Sequence, residues 1–230
     1  MDNVLSEMNA LGDPTDPSTE SYGNFFLEIF DSRDPSSNTP LFRTYHLDSN
    51  TNNASVNQQQ VQWFTNTAKE QSTAKGSSPA LLFTHIPMQE YAKAVRTDAG
   101  ICGDIREMVS SGSVNSGLFD ALVEEGSVKA TFVGHDHTND FCAELNGVQL
   151  CYEGSPGYQG YGHCEALHPR HTHCYARRAR ITEIREWGDI VVTYKRVDAW
   201  PTTELIDSQI LWAKDDDVAA RYNAEADTCV

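Results

Sequence analysis

The sequence predicts an α/β (α+β) domain, and three observations predict it. Two short continuous apolar runs bounded by turn residues, 79–84 and 128–133, have the pattern of strands buried on both faces, with helical segments between them. Asn146-Gly147 is the strongest short hairpin signal in the chain, and its flanks FCAEL and VQLCYE read as the two strands. At 230 residues the chain is long enough for one domain with a substantial core.

The elements follow in order. Residues 1–21, rich in Asp, Pro, Ser and Thr, read as a flexible arm. Strands are expected over 22–30 and 41–47, on either side of the turn-rich DSRDPSSNTP. Polar SNTNNAS then leads into a helix over 56–75, whose buried face Val56, Val61, Trp63 and Phe64 supply. The strand at 79–84 delivers His85 at its C-terminal end. A short helix at 88–96, a loop at 97–116 and a helix at 117–125 stopped by Gly126 follow. The strand at 128–133 ends on Gly134-His135. GSPGYQGYG, residues 154–162, is a glycine-rich loop that either brings backbone close to a ligand or strand, or forms a tight inert turn. Strands over 178–184 and 190–197, joined through Gly188-Asp189, read as a second hairpin. The domain ends near residue 200, and 201–230 read as an acidic tail, frayed from Asp215.

The net charge of -16 repels phosphate backbones and anionic lipid surfaces, so nucleic-acid binding is disfavoured. A small phosphorylated ligand would need a local cation, either a metal ion or arginine, and Arg170, Arg177, Arg178 and Arg180 form the dense basic patch. No run has the length of a transmembrane helix, and residues 1–30 lack the pattern of a signal peptide, so the chain reads as soluble without membrane insertion. Counting outward from the Asn146-Gly147 turn opposes Cys142 with Cys151, near enough for a disulfide. A bridge there implies an oxidising compartment such as the secretory pathway; the alternative is a pair of reduced small hydrophobes.

A histidine at the C-terminal end of a buried strand stands where open α/β sheets place their ligands. His85 and His135 both do so, and parallel neighbouring strands would converge them on one edge. His137 reaches the same cavity only if the chain has left the strand. Neutral imidazoles suit zinc, iron and manganese, with carboxylates or water completing the shell. Asp136, Asn139 and Asp140 either hold those imidazoles in the required tautomer or are solvent-facing turn formers.

FTHIPMQEY followed by VGHDHTND, the cysteine hairpin and the GY.GYG loop resembles the C-terminal half of the calcineurin-like metallophosphoesterases. The similarity is to the purple acid phosphatase branch often labelled "probable inactive", and it runs from about residue 22 to 196. The resemblance implies a two-sheet β-sandwich flanked by helices, here incomplete. It also implies two metal ions, Fe, Mn or Zn, with His85 and His135 on one and His137 on the other. A metal-bound hydroxide would then attack the phosphorus of a small phosphate ester.

The same resemblance demands three earlier motifs, Asp-x-His, Gly-Asp and Gly-Asn-His, that should precede residue 22. Gly12-Asp13 follows no buried strand, Gly23-Asn24 is followed by Phe25, and Gly103-Asp104 lies in a loop. The expectation is a chain beginning in mid-domain with its N-terminal strands missing. No catalytic residue is then assigned, at most one metal ion binds, activity alone is impaired, and an exposed sheet edge invites association.

Residues 163–175, HCEALHPRHTHCY, depart from the family pattern as an insertion. They form a Cys2His2-like zinc loop, a Cys164–Cys174 disulfide loop or an unstructured surface insert. Three functions follow: a metal-dependent phosphoesterase, a catalytically silent metal-binding or regulatory domain, or a structural zinc binder built on the insertion.

Overall fold

The computed structural model describes residues 23–49, 55–97, 100–162, 176–199 and 202–223. The arm at 1–21 and the insertion at 163–175, with Cys164, Cys174 and Arg170, lie outside them. Along the chain come β1 (Phe25–Ile29), β2 (Phe42–His46), α1 (Gln58–Lys75), β3 (Ala80–Phe83), α2 (Gln89–Thr97), α3 (Leu118–Glu125) and β4 (Val128–Val133). Then follow β5 (Cys142–Leu145), β6 (Val148–Tyr152), β7 (Arg178–Arg185), β8 (Ile190–Ala199), β9 (Thr202–Ala213) and α4 (Asp216–Asn223).

Six strands form one sheet in the order β1-β2-β3-β4-β6-β5, and β7-β8-β9 form a second, antiparallel sheet. β2, β3, β4 and β6 run parallel, while β1 and β5 pair antiparallel at the two edges. The parallel centre follows from the uninterrupted apolar runs, since helices cover one face of it and the second sheet packs on the other. Alternation along β3 makes this visible. Ala80 and Leu82 join Trp63 and Phe64 of α1 and Leu118 and Leu122 of α3, whereas Leu81 joins Val191 of β8 and Leu211 of β9. Each of the leucine, valine and phenylalanine side chains, when fully buried, contributes about 1.5–3 kcal/mol.

Local chemistry places the elements. Asn57 caps α1 with a reciprocal box, its side chain accepting from the Gln60 N–H at 3.0 Å while the Gln60 side chain accepts from the Asn57 N–H at 2.8 Å. A buried ion pair then ties β1 to β2, with Arg43 Nε donating to Glu28 Oε1 at 3.1 Å and both side chains 2% exposed. On the face turned towards the small sheet, Phe25, His46, Phe83 and Phe132 stack in a row across β1 to β4, with centroids 4.3, 5.0 and 5.0 Å apart. The fold is thus α/β with two sheets and flanking helices.

One reading needs correction. Residues expected to form an acidic tail contain β9, the longest strand, followed by α4. Asp207 sits at φ 52°, and the β8–β9 register shifts between Thr193 and Lys195, so period-two alternation is broken inside β9. An alternation test fails on such a strand, although its pairing with β8 is continuous over most of its length.

Candidate functional site

β3 and β4 end side by side. Thr84 N–H donates to Phe132 O at 3.0 Å and Gly134 N–H to His85 O at 3.1 Å, so the ladder continues until the two histidines diverge from it. Their rings face each other with centroids 5.4 Å apart and planes at 79°. Gly134 permits this closeness, because a Cβ there would stand 3.1 Å from His85 Nδ1. His135 has φ 70°, a left-handed conformation that costs a β-carbon-bearing residue about 1 kcal/mol or more. That turn takes the chain off the strand, which is the condition for His137 to reach the same edge.

His137 lies in a slot of its own. Its ring stacks on Tyr161 with centroids 4.1 Å apart and planes at 10°, and the His137 backbone N–H donates to the Tyr161 hydroxyl at 3.0 Å. The Nδ1 atom is buried without a partner. Above it passes Gly160, where a Cβ would come within 2.8 Å of that Nδ1. The glycine-rich loop is therefore a close approach to a predicted ligand, and Arg177 holds it by donating to Ser155 Oγ at 2.9 Å and to Gly160 O.

Asp136, Asn139 and Asp140 point inward, 3%, 0% and 0% exposed. Asp136 Oδ2 accepts from Tyr152 Oη at 2.5 Å and Ser110 N–H at 2.9 Å; Asn139 Oδ1 accepts from the Arg106 and Glu107 N–H groups at 3.0 and 3.1 Å. Asp140 Oδ1 accepts from Lys195 Nζ at 2.7 Å and Asp104 N–H at 2.6 Å, and its Oδ2 from Arg178 Nη1 at 2.8 Å. These bonds run to the loop and sheet behind the histidines rather than to their rings. The three residues are not solvent-facing, and these bonds hold the turn.

The described arginines of the basic patch are also spent internally. Arg178 lies on Asp140, and Arg180 donates to Tyr152 O at 2.8 Å and to Asp140 O at 2.5 Å. Sequence reasoning missed Glu107 and Tyr161. Glu107 Oε1 accepts from Thr138 N–H at 2.6 Å and Oε2 from the Tyr161 hydroxyl at 2.9 Å, clamping the histidine turn to the glycine-rich loop. Tyr161 stands in the quoted GY.GYG motif, whereas nothing local marks Glu107 within its loop.

Burial lowers the pKa of His85 below its ordinary 6.5, and the neighbouring His135 and His137 lower it further. The neutral imidazole thereby favoured is the form that ligates metal. Among the described residues, however, no group of three or more His, Cys, Asp and Glu stands close enough together to hold an ion. His85 and His135 lie ring to ring at the strand ends, and His137 packs on Tyr161.

Behind the site Cys142 and Cys151 form a disulfide with Cα atoms 4.0 Å apart. Cys142 exchanges both backbone hydrogen bonds with Cys102, at 2.8 and 2.9 Å, so its facing with Cys151 is the non-hydrogen-bonded kind in which side chains approach closest. Cys102, which the sequence did not single out, is disulfide-bonded as well. No described helix is long and apolar enough to cross a membrane.

No protein-family model matches the chain. It is 32% identical over 242 aligned positions to Probable inactive purple acid phosphatase 29 of Arabidopsis thaliana, across 92% of this chain and 59% of that protein. Probable inactive purple acid phosphatase 14 of the same plant is 39% identical over 161 positions, 66% of this chain and 37% of its own length. The chain thus spans less than two thirds of either relative. A solved dimetal phosphatase from Danio rerio covers 83% of this chain and 61% of its own, at 15% identity and a TM-score of 0.47.

Proposed function

Because this chain belongs to the calcineurin-like metallophosphoesterase superfamily, on its purple acid phosphatase branch, we propose that it is a metal-dependent phosphoesterase domain. In this reading it holds one metal ion between His85 and His135, acts on small phosphate esters, and has impaired activity on its own. The observation that carries this is the pair of imidazoles 5.4 Å apart at the ends of adjacent parallel strands.

Iron, manganese or zinc suits imidazole donors, and any of them, when bound, supplies a Lewis acid for phosphate oxygens and acidifies water. The protein's own residues do the rest. Burial favours the neutral form of His85, Gly134 lets the second ring approach, and the left-handed His135 turns its ring off the strand. The carboxylates of Asp136 and Asp140 are committed to the turn, while Asp48 and Glu153 line the same cleft as His85. Two like charges without a bridging ligand would repel strongly, so the proposal is for one ion. With Arg177, Arg178 and Arg180 committed to internal bonds, that ion would supply local positive charge to an anionic substrate in a chain of net charge -16. The same charge disfavours nucleic acid as a ligand.

A second reading, a catalytically silent metal-binding or regulatory domain, is favoured by the lack of a three-donor group among the described residues. The word "inactive" in the names of the plant relatives points the same way. Metal analysis of the purified chain tests both readings. Bound zinc, manganese or iron should fall at least tenfold in affinity in His135→Ala and stay unchanged in Cys164→Ser. Unchanged metal in His135→Ala would refute the core site, and loss in Cys164→Ser would move it to the insertion. Slow phosphatase activity that needs added metal and disappears in His135→Ala supports the enzyme. Metal binding without any hydrolysis supports the silent domain.

A further inference from the structure

The histidine turn is fastened to the second sheet by one carboxylate. Asp140 and Lys195 are both 0% exposed, and Arg178 is 7% exposed. Lys195 projects from β8 and Arg178 from β7, and both reach the same carboxylate, at 2.7 and 2.8 Å. Arg180 of β7 adds a bond to the Asp140 carbonyl at 2.5 Å. The 102–106 loop closes the remaining side, with Asp104 N–H on Oδ1 at 2.6 Å and Asp140 N–H on Asp104 O at 3.0 Å. Gly103 allows that closure, since a Cβ there would lie 2.7 Å from Lys195 Nζ and 2.7 Å from the Asp140 carbonyl. Lys195 also pairs with Asp207, on the bulge of β9.

The geometry points to Asp140 as a positioning residue: its buried carboxylate registers the 134–140 turn, and with it His135 and His137, against the β7-β8-β9 sheet. A buried charge cluster is a weak source of stability, since apolar side chains of similar size commonly replace it without loss. It is a strong source of geometry, because each of its short bonds fixes distance and direction at once. His135 needs that fixing, held as it is at φ 70° against the preference of its backbone. A turn without the Asp140 anchor is free to relax towards ordinary backbone angles, which swings the ring away from His85.

The inference rests on the metal-site reading only for its consequence, so the test has a metal-free arm. Asp140→Leu/Lys195→Met removes both fully buried charges, leaving Arg178 beside the partly exposed Asp104, 3.7 Å away. In the folded, metal-free variant the amides of residues 135–139 should exchange at least tenfold faster than in the wild type, and the ring resonances of His135 and His137 should move. Zinc affinity should fall tenfold or more, as it does when residues supporting a ligand are lost. Should the double variant fail to fold, Arg178→Met keeps the Asp140–Lys195 pair and should shift both readouts in the same direction by less. A folded variant with unchanged amide protection and unchanged ring resonances overturns the assignment. If the turn loosens as expected while the wild type binds no zinc, the positioning role stands and the metal site is refuted.

Discussion

At the scale of single residues, two atoms decide the site more than their residue types suggest. Gly160→Ala would put a Cβ 2.8 Å from His137 Nδ1 under a loop that Arg177 holds down, so the imidazole has to give way. The expected result is loss of the His137–Tyr161 stack, read in the ring resonances, with little change in melting temperature. Asp140 gives a pH dependence. Burial raises its pKa, but Lys195, the Asp104 N–H and Arg178 together outweigh burial and hold it below the ordinary 3.8. The unfolded chain takes up that proton first as pH falls, so the stabilisation is complete above this range and is lost as pH drops through 3.8 towards the folded value. Urea midpoints between pH 5 and 3 should therefore fall more steeply in the wild type than in Asp140→Leu/Lys195→Met. Equal slopes would contradict it. The places of His135 and His137 at and just beyond the end of β4 were legible from residue type and spacing, but the inward aim of Asp136, Asn139 and Asp140 was not, because their partners come from strands and loops far along the chain.

At the scale of elements, the cysteine hairpin was readable because a two-residue turn fixes register, and register fixes which residues oppose. The disulfide closes a loop with a sequence separation of 9. Chain-entropy reasoning gives such a loop about 2–3 kcal/mol. Paired Cys142→Ala/Cys151→Ala should lose that much in urea unfolding, and reduction of the wild type should lower it at least as far, since it also opens the Cys102 bridge. A variant with an unaltered midpoint would leave the bridge without a stabilising role. Glu28 shows the opposite case, invisible in a strand of five residues. Glu28→Ala would leave the buried Arg43 charge with only the Gln71 and Gly76 carbonyls as partners and should cost about 3 kcal/mol. β9 stayed hidden because its bulge at Asp207 breaks the alternation that a strand otherwise displays.

At the scale of the whole molecule, the two sheets meet through Phe42, Leu81, Phe132, Val191 and Leu211. Leu211→Ala should therefore destabilise by about 2–4 kcal/mol and lower near- and far-ultraviolet unfolding midpoints together, since the packing that it supports is shared by both sheets. The net charge of -16 acts on the same scale, and self-repulsion in the folded state should ease as salt is added, raising the melting temperature between about 0.02 and 0.5 M. By itself the sequence determined the α/β class, the parallel centre, the hairpins and the two strand ends that carry His85 and His135, because hydrophobic period and turn chemistry are local properties. Only the tertiary structure decided that His135 faces His85 while His137 lies beneath Gly160, and that the acidic and basic residues around them pair with one another. Those outcomes depend on which distant segments share a buried space. The energy of a buried charge is set by that partner, whereas the local sequence fixes only which groups are available.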